Sequence, residues 1–192
     1  MNNIGINLDG LNELSNEINK SSSRGKYNVR ARLPKSTISF LVNHEVFKSF
    51  DQIGFSFFKS NQAKAQFSGA NFWRTILINM HTYLEAKYGK IDVTEDEIEF
   101  LKSTGKKRFD IIDFGYPHFK DELKTYTFTL EKKFIELTYI IASSYYKLER
   151  EEQVDIYTIN MFFYDVMDLI EKDILKLKFY NKVDITEFIE EY

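Results

Sequence analysis

One short run of β-type sequence, in a chain otherwise written for helices, constrains this fold more than any other feature. Ser36-Thr37-Ile38-Ser39-Phe40-Leu41-Val42 is rich in β-branched and aromatic residues and alternates polar with apolar over its first half, which is the pattern of a half-buried strand. Ile38, Phe40 and Val42 then share one face, and Thr37, Ser39 and Leu41 share the other. A lone strand of this length presents unpaired backbone groups and is not stable by itself. It needs a partner, and a second copy of the chain is the natural one.

Around that run the sequence reads as helices. Only two prolines and eight glycines interrupt 192 residues, which favours long helices over tight turns. Asn43 is placed to cap a helix carrying Val46, Phe47, Phe50, Ile53 and Phe57 on one side. Lys59 to Gly69 is polar and loop-like. Ala70 to Tyr88 puts Trp73, Ile76, Leu77, Met80, Tyr83 and Leu84 on a stripe, and Gly89 stops it. Asp92 to Leu101 reads as a short helix opened by Thr94 with an acid three positions on.

Phe109 to Phe114 suits a short strand, and Gly115-Tyr116-Pro117 is the clearest breaker and marks a domain boundary. Tyr126 and Phe128 alternate with Thr125, Thr127 and Thr129, which leaves a strand open there. Leu130 to Leu148 and Ile156 to Phe179 read as two long helices with apolar residues on more than one side, and Asp184 to Tyr192 as an acidic final helix or tail. Ile4 to Ile18 reads as an amphipathic helix, followed by a Ser-rich linker over Asn19 to Gly25. No internal repeat at a fixed period is visible.

The expected fold is therefore predominantly α-helical with one or two short strands. Four segments are expected: residues 1–35, a helix and basic flexible arm; 36–89, a strand-helix-helix module; 90–117, a connection; and 118–192, a C-terminal helical unit. Eighteen Phe and twelve Tyr make much of the core aromatic.

Charge is distributed unevenly. The chain carries a formal net charge of −3, yet Lys20, Arg24, Lys26, Arg30, Arg32 and Lys35 follow one another with no acid between Lys20 and Lys35. A local reversal of sign like this attracts a phosphate backbone. Other chemistry is poorly represented. The chain has no cysteine, which excludes disulfides, thiolate metal sites and a cysteine nucleophile. His44, His81 and His118 match no ligand spacing. Ser143-Ser144 lies in a helical pattern without the glycine turn of an acyl-transfer serine. No enzyme activity, metal or cofactor is expected, nor a signal peptide or membrane span, and the expected location is cytoplasmic.

In order, the segment from Lys35 to Gly89 is strand, helix, loop, helix. It resembles the MetJ/Arc-like ribbon-helix-helix family of DNA-binding proteins through Thr37-Ile38-Ser39-Phe40-Leu41-Val42, the helix of Asn43 to Phe58, and the helix from Trp73-Arg74-Thr75-Ile76 through Tyr83-Leu84. The resemblance implies that the strand pairs with its twin from a second chain and that the ribbon enters the major groove of double-stranded DNA. It implies a homodimer or higher homo-oligomer acting as a transcriptional or plasmid-type regulator. Thr37 and Ser39 would face base edges, and the amides at Ser68-Gly69-Ala70 would hold a phosphate. Leu41 departs from the family, which has a polar reader at this position, and an apolar residue there can only meet a thymine methyl. Lys26, Arg30, Arg32 and Lys35 would anchor the backbone.

An earlier register, with Asn28, Arg30 and Arg32 on one face of a strand and Pro34 opening the helix, stays open. The later strand is preferred because Thr37 to Val42 are poor helix starters. Two other functions remain in play: a viral or phage structural or assembly protein built on the aromatic helices, and a small helical subunit of a nucleoprotein complex. The acidic C-terminal helices would serve dimerisation or a protein partner.

Overall fold

A computed structural model of the chain describes residues 34–104, 123–149 and 157–192. The basic residues Lys20 to Arg32, the expected N-terminal helix, the earlier strand register at 28–33, the possible strand at 109–114 and the breaker at 115–117 all lie outside the described residues. Among the described residues there are six α-helices and one two-stranded antiparallel sheet.

Strand β1, Lys35–Asn43, runs straight into helix α1, His44–Ser60. Asn43 ends the strand and caps the helix, its side chain accepting the Glu45 amide at 2.7 Å. A short 3-10 turn at Lys64–Gln66 leads to helix α2, Gly69–Tyr88, which Ser68 caps and Gly89 ends with φ 82°. Helix α3, Glu95–Thr104, begins with the expected reciprocal cap: Thr94 Oγ1 accepts the Glu97 amide, and Glu97 accepts the Thr94 amide.

Strand β2, Leu123–Glu131, again runs straight into a helix, α4, Lys132–Leu148. Leu130 and Glu131 thus belong to the strand and not to the long helix expected from Leu130. Helix α5 spans Ile159–Glu171 and helix α6 spans Lys182–Glu191, the latter with a capping box between Asn181 and Asp184.

The helix expected to continue to Phe179 stops at Glu171. Asp173 turns into the left-handed region with φ 57°. The residues after it alternate, Leu175 buried, Lys176 exposed, Leu177 half-buried, Lys178 exposed, a period of two that a helix cannot use. Asn79 of α2 holds this stretch like a neighbouring strand, donating to the Lys178 carbonyl at 3.0 Å and accepting its amide at 2.8 Å.

The partner of β1 is β2 of the same chain, where the family resemblance implied a twin from a second chain. Ser39 faces Thr127 at the centre of the register, Lys35 faces Glu131 at one end, and Asn43 faces Leu123 at the other. The strand left open at Thr125 to Thr129 is therefore the one that completes the ribbon. The two segments expected as separate modules, 36–89 and 118–192, share one sheet and fall in one unit, Lys35–Tyr192.

The order strand, helix, helix occurs twice. Each strand has 9 residues and each following helix has 17, and the centres of the two strands lie 88 positions apart. The repeat escapes a sequence scan because few residues are identical between the halves. In space the halves are interleaved. Helix α5 of the second half bonds to β1, with Asn160 accepting the Leu41 amide at 2.9 Å and the Tyr164 hydroxyl accepting the Asn43 amide at 2.7 Å. Helix α2 of the first half reaches the matching places on β2, where Arg74 donates to the Thr129 carbonyl at 3.3 Å and to the Glu131 carboxylate at 2.8 Å. Both outer edges of the ribbon are thus engaged by a helix of the other half, which limits edge-to-edge association.

Beneath the ribbon lies an aromatic core. Phe40 and Phe128, at matching strand positions, have ring centroids 5.8 Å apart. Trp73 and Phe163, at matching places after the caps Ser68 and Thr158, stack at 5.4 Å and 15°. Phe40 meets Trp73 edge-on at 4.9 Å, the geometry that ring quadrupoles prefer. The Trp73 indole N–H donates to Thr138 Oγ1 at 3.3 Å, so its one polar atom is satisfied. Ten rings at contact distance hold both halves together, so among the described residues the two halves share one core.

Candidate nucleic-acid interface

Alternation fixes what the ribbon presents. Ile38, Phe40, Val42, Phe128 and Leu130 are buried on the inner face. Thr37, Ser39, Thr125, Thr127 and Thr129 are exposed on the outer one, with Leu41 half-exposed among them. Rung by rung the outer face reads Lys35 with Glu131, Thr37 with Thr129, Ser39 with Thr127, and Leu41 with Thr125. Ser39 Oγ and Thr127 Oγ1 are hydrogen-bonded at 2.8 Å across the central rung. Each hydroxyl still has unused capacity, since it carries one donor and two acceptor positions. The face is backed by a packed core, which fixes the strands that carry its hydroxyls.

The Lys35 end of this face is charged. Arg74, with a side chain only 9% exposed, ion-pairs with Glu131 at 2.8 Å. Its Nη1 donates to Asn71 Oδ1 at 3.0 Å, and its guanidinium lies 5.8 Å over the Phe134 ring. Lys35 lies 4.0 Å from the same carboxylate and is well exposed. Two cations therefore meet one anion here. Because its carboxylate is engaged by Arg74, Glu131 makes no side-chain cap to α4, whereas Asn43 at the matching place caps α1.

The other end carries aromatic and apolar groups. Leu123 is 37% exposed beside Asn43. Burial of Tyr164, which α5 brings against the end of β1, pushes its phenol up to about 12, with the Asn43 amide pulling the other way. His44 Nδ1 lies 2.5 Å from the Tyr126 hydroxyl, and Tyr126 stacks on Phe47 at 3.5 Å. These rings wall an open groove with Lys48, Asp51, Phe55 and Phe67, where burial raises the Asp51 carboxyl.

Of the residues singled out from sequence, the structure brings Lys35, Thr37 and Ser39 onto this one face. Ser68 is exposed and caps α2, accepting the Asn71 amide at 3.1 Å. Gly69 follows it under β2: a Cβ there would lie 2.9 Å from Phe128 Cε1. The glycine is required for that close approach, whatever its amide does. Lys26, Arg30 and Arg32 lie outside the described residues.

Sequence reasoning missed half of the face, namely Thr125, Thr127 and Thr129, and also Arg74. The alternation at 125–129 was the available signal for the first three. Arg74 had none, since an arginine in a helix stripe does not reveal which strand it will reach. Of the other histidine and serine candidates, His81 lies 3.3 Å from Glu85, Ser144 donates to the Ile140 carbonyl within α4, and His118 lies outside the described residues. No helix among the described residues is long and apolar enough to cross a membrane. Compared with known protein families, curated proteins and solved structures, the chain finds no significant match.

Proposed function

We propose that this chain is a DNA-binding protein of the ribbon-helix-helix type in which one polypeptide supplies both halves of the unit. The observation that carries this reading is the exposed, hydroxyl-lined outer face of a two-stranded ribbon, each strand of which is followed by two helices that clasp the opposite half. A two-stranded ribbon fits the major groove, where hydroxyl side chains can donate to or accept from base edges. Thr37, Ser39, Thr125, Thr127 and Thr129 take that role. Lys26, Arg30, Arg32 and Lys35 contact phosphates along the entry to β1, and the amides at Ser68-Gly69 hold a phosphate beside the ribbon. Because β2 completes the ribbon, a second copy is no longer needed to build it, and a single chain is the binding unit. The activity proposed is that of a transcriptional or plasmid-type regulator.

The test is fluorescence anisotropy of the full chain against random duplex DNA over a salt series, with Arg30→Ala/Arg32→Ala and with Ser39→Ala/Thr127→Ala. Wild type should bind with a steep salt slope. The arginine variant should flatten the slope by about one unit per phosphate contact removed. The hydroxyl variant should keep the slope and lose preference among sequences. Absence of binding at low salt would remove the reading.

A further inference from the structure

The two halves that build the ribbon are equivalent in backbone but not in the side chains they present outward. The fold relates the Lys35 end to the Leu123 end, since both strands have 9 residues and pair symmetrically about Ser39 and Thr127. Under that relation Thr37 matches Thr125, and Ser39 matches Thr127. The remaining positions differ in chemistry. Leu41 stands where the other half has Thr129, and Leu123 stands where it has Lys35. Asn43, buried and committed to capping α1, stands where the other half has Glu131.

One end of the face is therefore ionic, with Lys35, Glu131 and the buried Arg74 behind them. The other is methyl-rich, with Leu41 half-exposed and Leu123 37% exposed. Nothing along the ribbon averages the two, because the covalent order of the chain makes each end unique.

From this asymmetry we infer that the chain takes duplex DNA in one orientation, on a site that is not a palindrome, with Leu41 against a thymine methyl in the half-site beneath the apolar end. The inference rests on the DNA-binding reading above and adds to it the form of the target. A homodimer presents identical ends and reads matched half-sites. Here the base step under Leu41 is offered no hydrogen-bonding side chain at that position, and the one feature of the major groove an aliphatic side chain can recognise is the C5-methyl of thymine. The matching step beneath Thr129 is offered a hydroxyl, which can bond to a base edge. Leu41 is thus a specificity-determining residue, and Thr129 is its counterpart.

The experiment is selection of bound duplexes from a random-sequence pool by the full chain, followed by anisotropy on the selected site. The expected result is a consensus without two-fold symmetry that contains a thymine whose replacement by uracil weakens wild-type binding about fourfold, the value of burying one methyl group. Leu41→Asn, at a half-exposed position where folding is readily checked by circular dichroism, offers no methyl and should bind the thymine and uracil duplexes equally. Retained duplexes with a palindromic or featureless consensus would overturn this inference and leave the DNA-binding reading standing. So would a uracil effect that persists in Leu41→Asn. If no duplex is retained even at low salt, the DNA-binding reading itself fails and takes this one with it.

Discussion

Replacing Arg74 by alanine should cost this protein about 3 kcal/mol, and the structure shows where that figure comes from. The side chain is 9% exposed and makes three hydrogen bonds, to Glu131 at 2.8 Å, to Asn71 at 3.0 Å and to the Thr129 carbonyl at 3.3 Å. Truncation leaves the Glu131 carboxylate, 18% exposed, without its main partner. Removing one member of a buried ion pair costs about 3–5 kcal/mol, mostly from the charge left behind. Here Lys35, 4.0 Å from Glu131, and residual water offset part of that loss, which places the expectation at the lower end.

Urea unfolding of the full chain, with the slope checked for constancy, measures the loss. For a chain of this size about 3 kcal/mol corresponds to a fall of roughly 6–12 °C in Tm. The decisive comparison is the double variant Arg74→Ala/Glu131→Leu, which removes both charges and should be more stable than Arg74→Ala alone. If Arg74→Ala costs under about 1 kcal/mol, or if the two substitutions are simply additive, Arg74 does not clasp the second half of the chain.

Three further outcomes follow from the packing. Gly54→Ala should destabilise by about 1–2 kcal/mol, because its Cβ would lie 2.5 Å from Phe72 Cδ1 and 2.8 Å from Phe67 Cε2. Overpacking of this kind exceeds the roughly 1 kcal/mol that alanine gains in a helix, and a rise in the urea midpoint would show that the rings yield freely. Thr75→Val should stabilise by about 1 kcal/mol in the same assay, since Thr75 Oγ1 is buried with no hydrogen-bond partner among the described residues; a loss would reveal a partner for it. Burial against Phe188 and Tyr192 lowers the His81 pKa, while Glu85 opposes the shift. A depressed folded pKa gives stability that is present above the usual value of about 6.5 and is lost as pH falls below it. Midpoints at pH 7.5 and 5.5 should therefore separate more for wild type than for His81→Gln, and equal separations would remove His81 from the account.

Most of the local structure was legible in the sequence because local chemistry determines it. Asn43, Ser68 and Thr94 with Glu97 mark helix starts through bonds that span two or three residues, and Gly89 marks an end through its own backbone. The alternation from Ser36 to Val42 identified both the strand and its inner face. The early end of α5 was harder. Leu175, Leu177 and Phe179 can be read as helical spacing or as alternation, and the clamp from Asn79, 99 positions away, decides between them.

Strand pairing belonged to the tertiary structure alone. A strand's sequence states that it needs a neighbour and which face must be buried, and it is silent on where the neighbour comes from. β2 lies 88 positions from β1, and the two are brought together by interleaved helices whose contacts, Asn160 and Tyr164 with β1 and Arg74 with β2, have no signature in spacing. The difference between a ribbon shared by two chains and a ribbon folded within one rests on burial of Phe40, Trp73, Phe128 and Phe163 against each other. Hydrophobic burial is non-directional, so composition guarantees an aromatic core, and only the packed arrangement determines which rings of which half compose it.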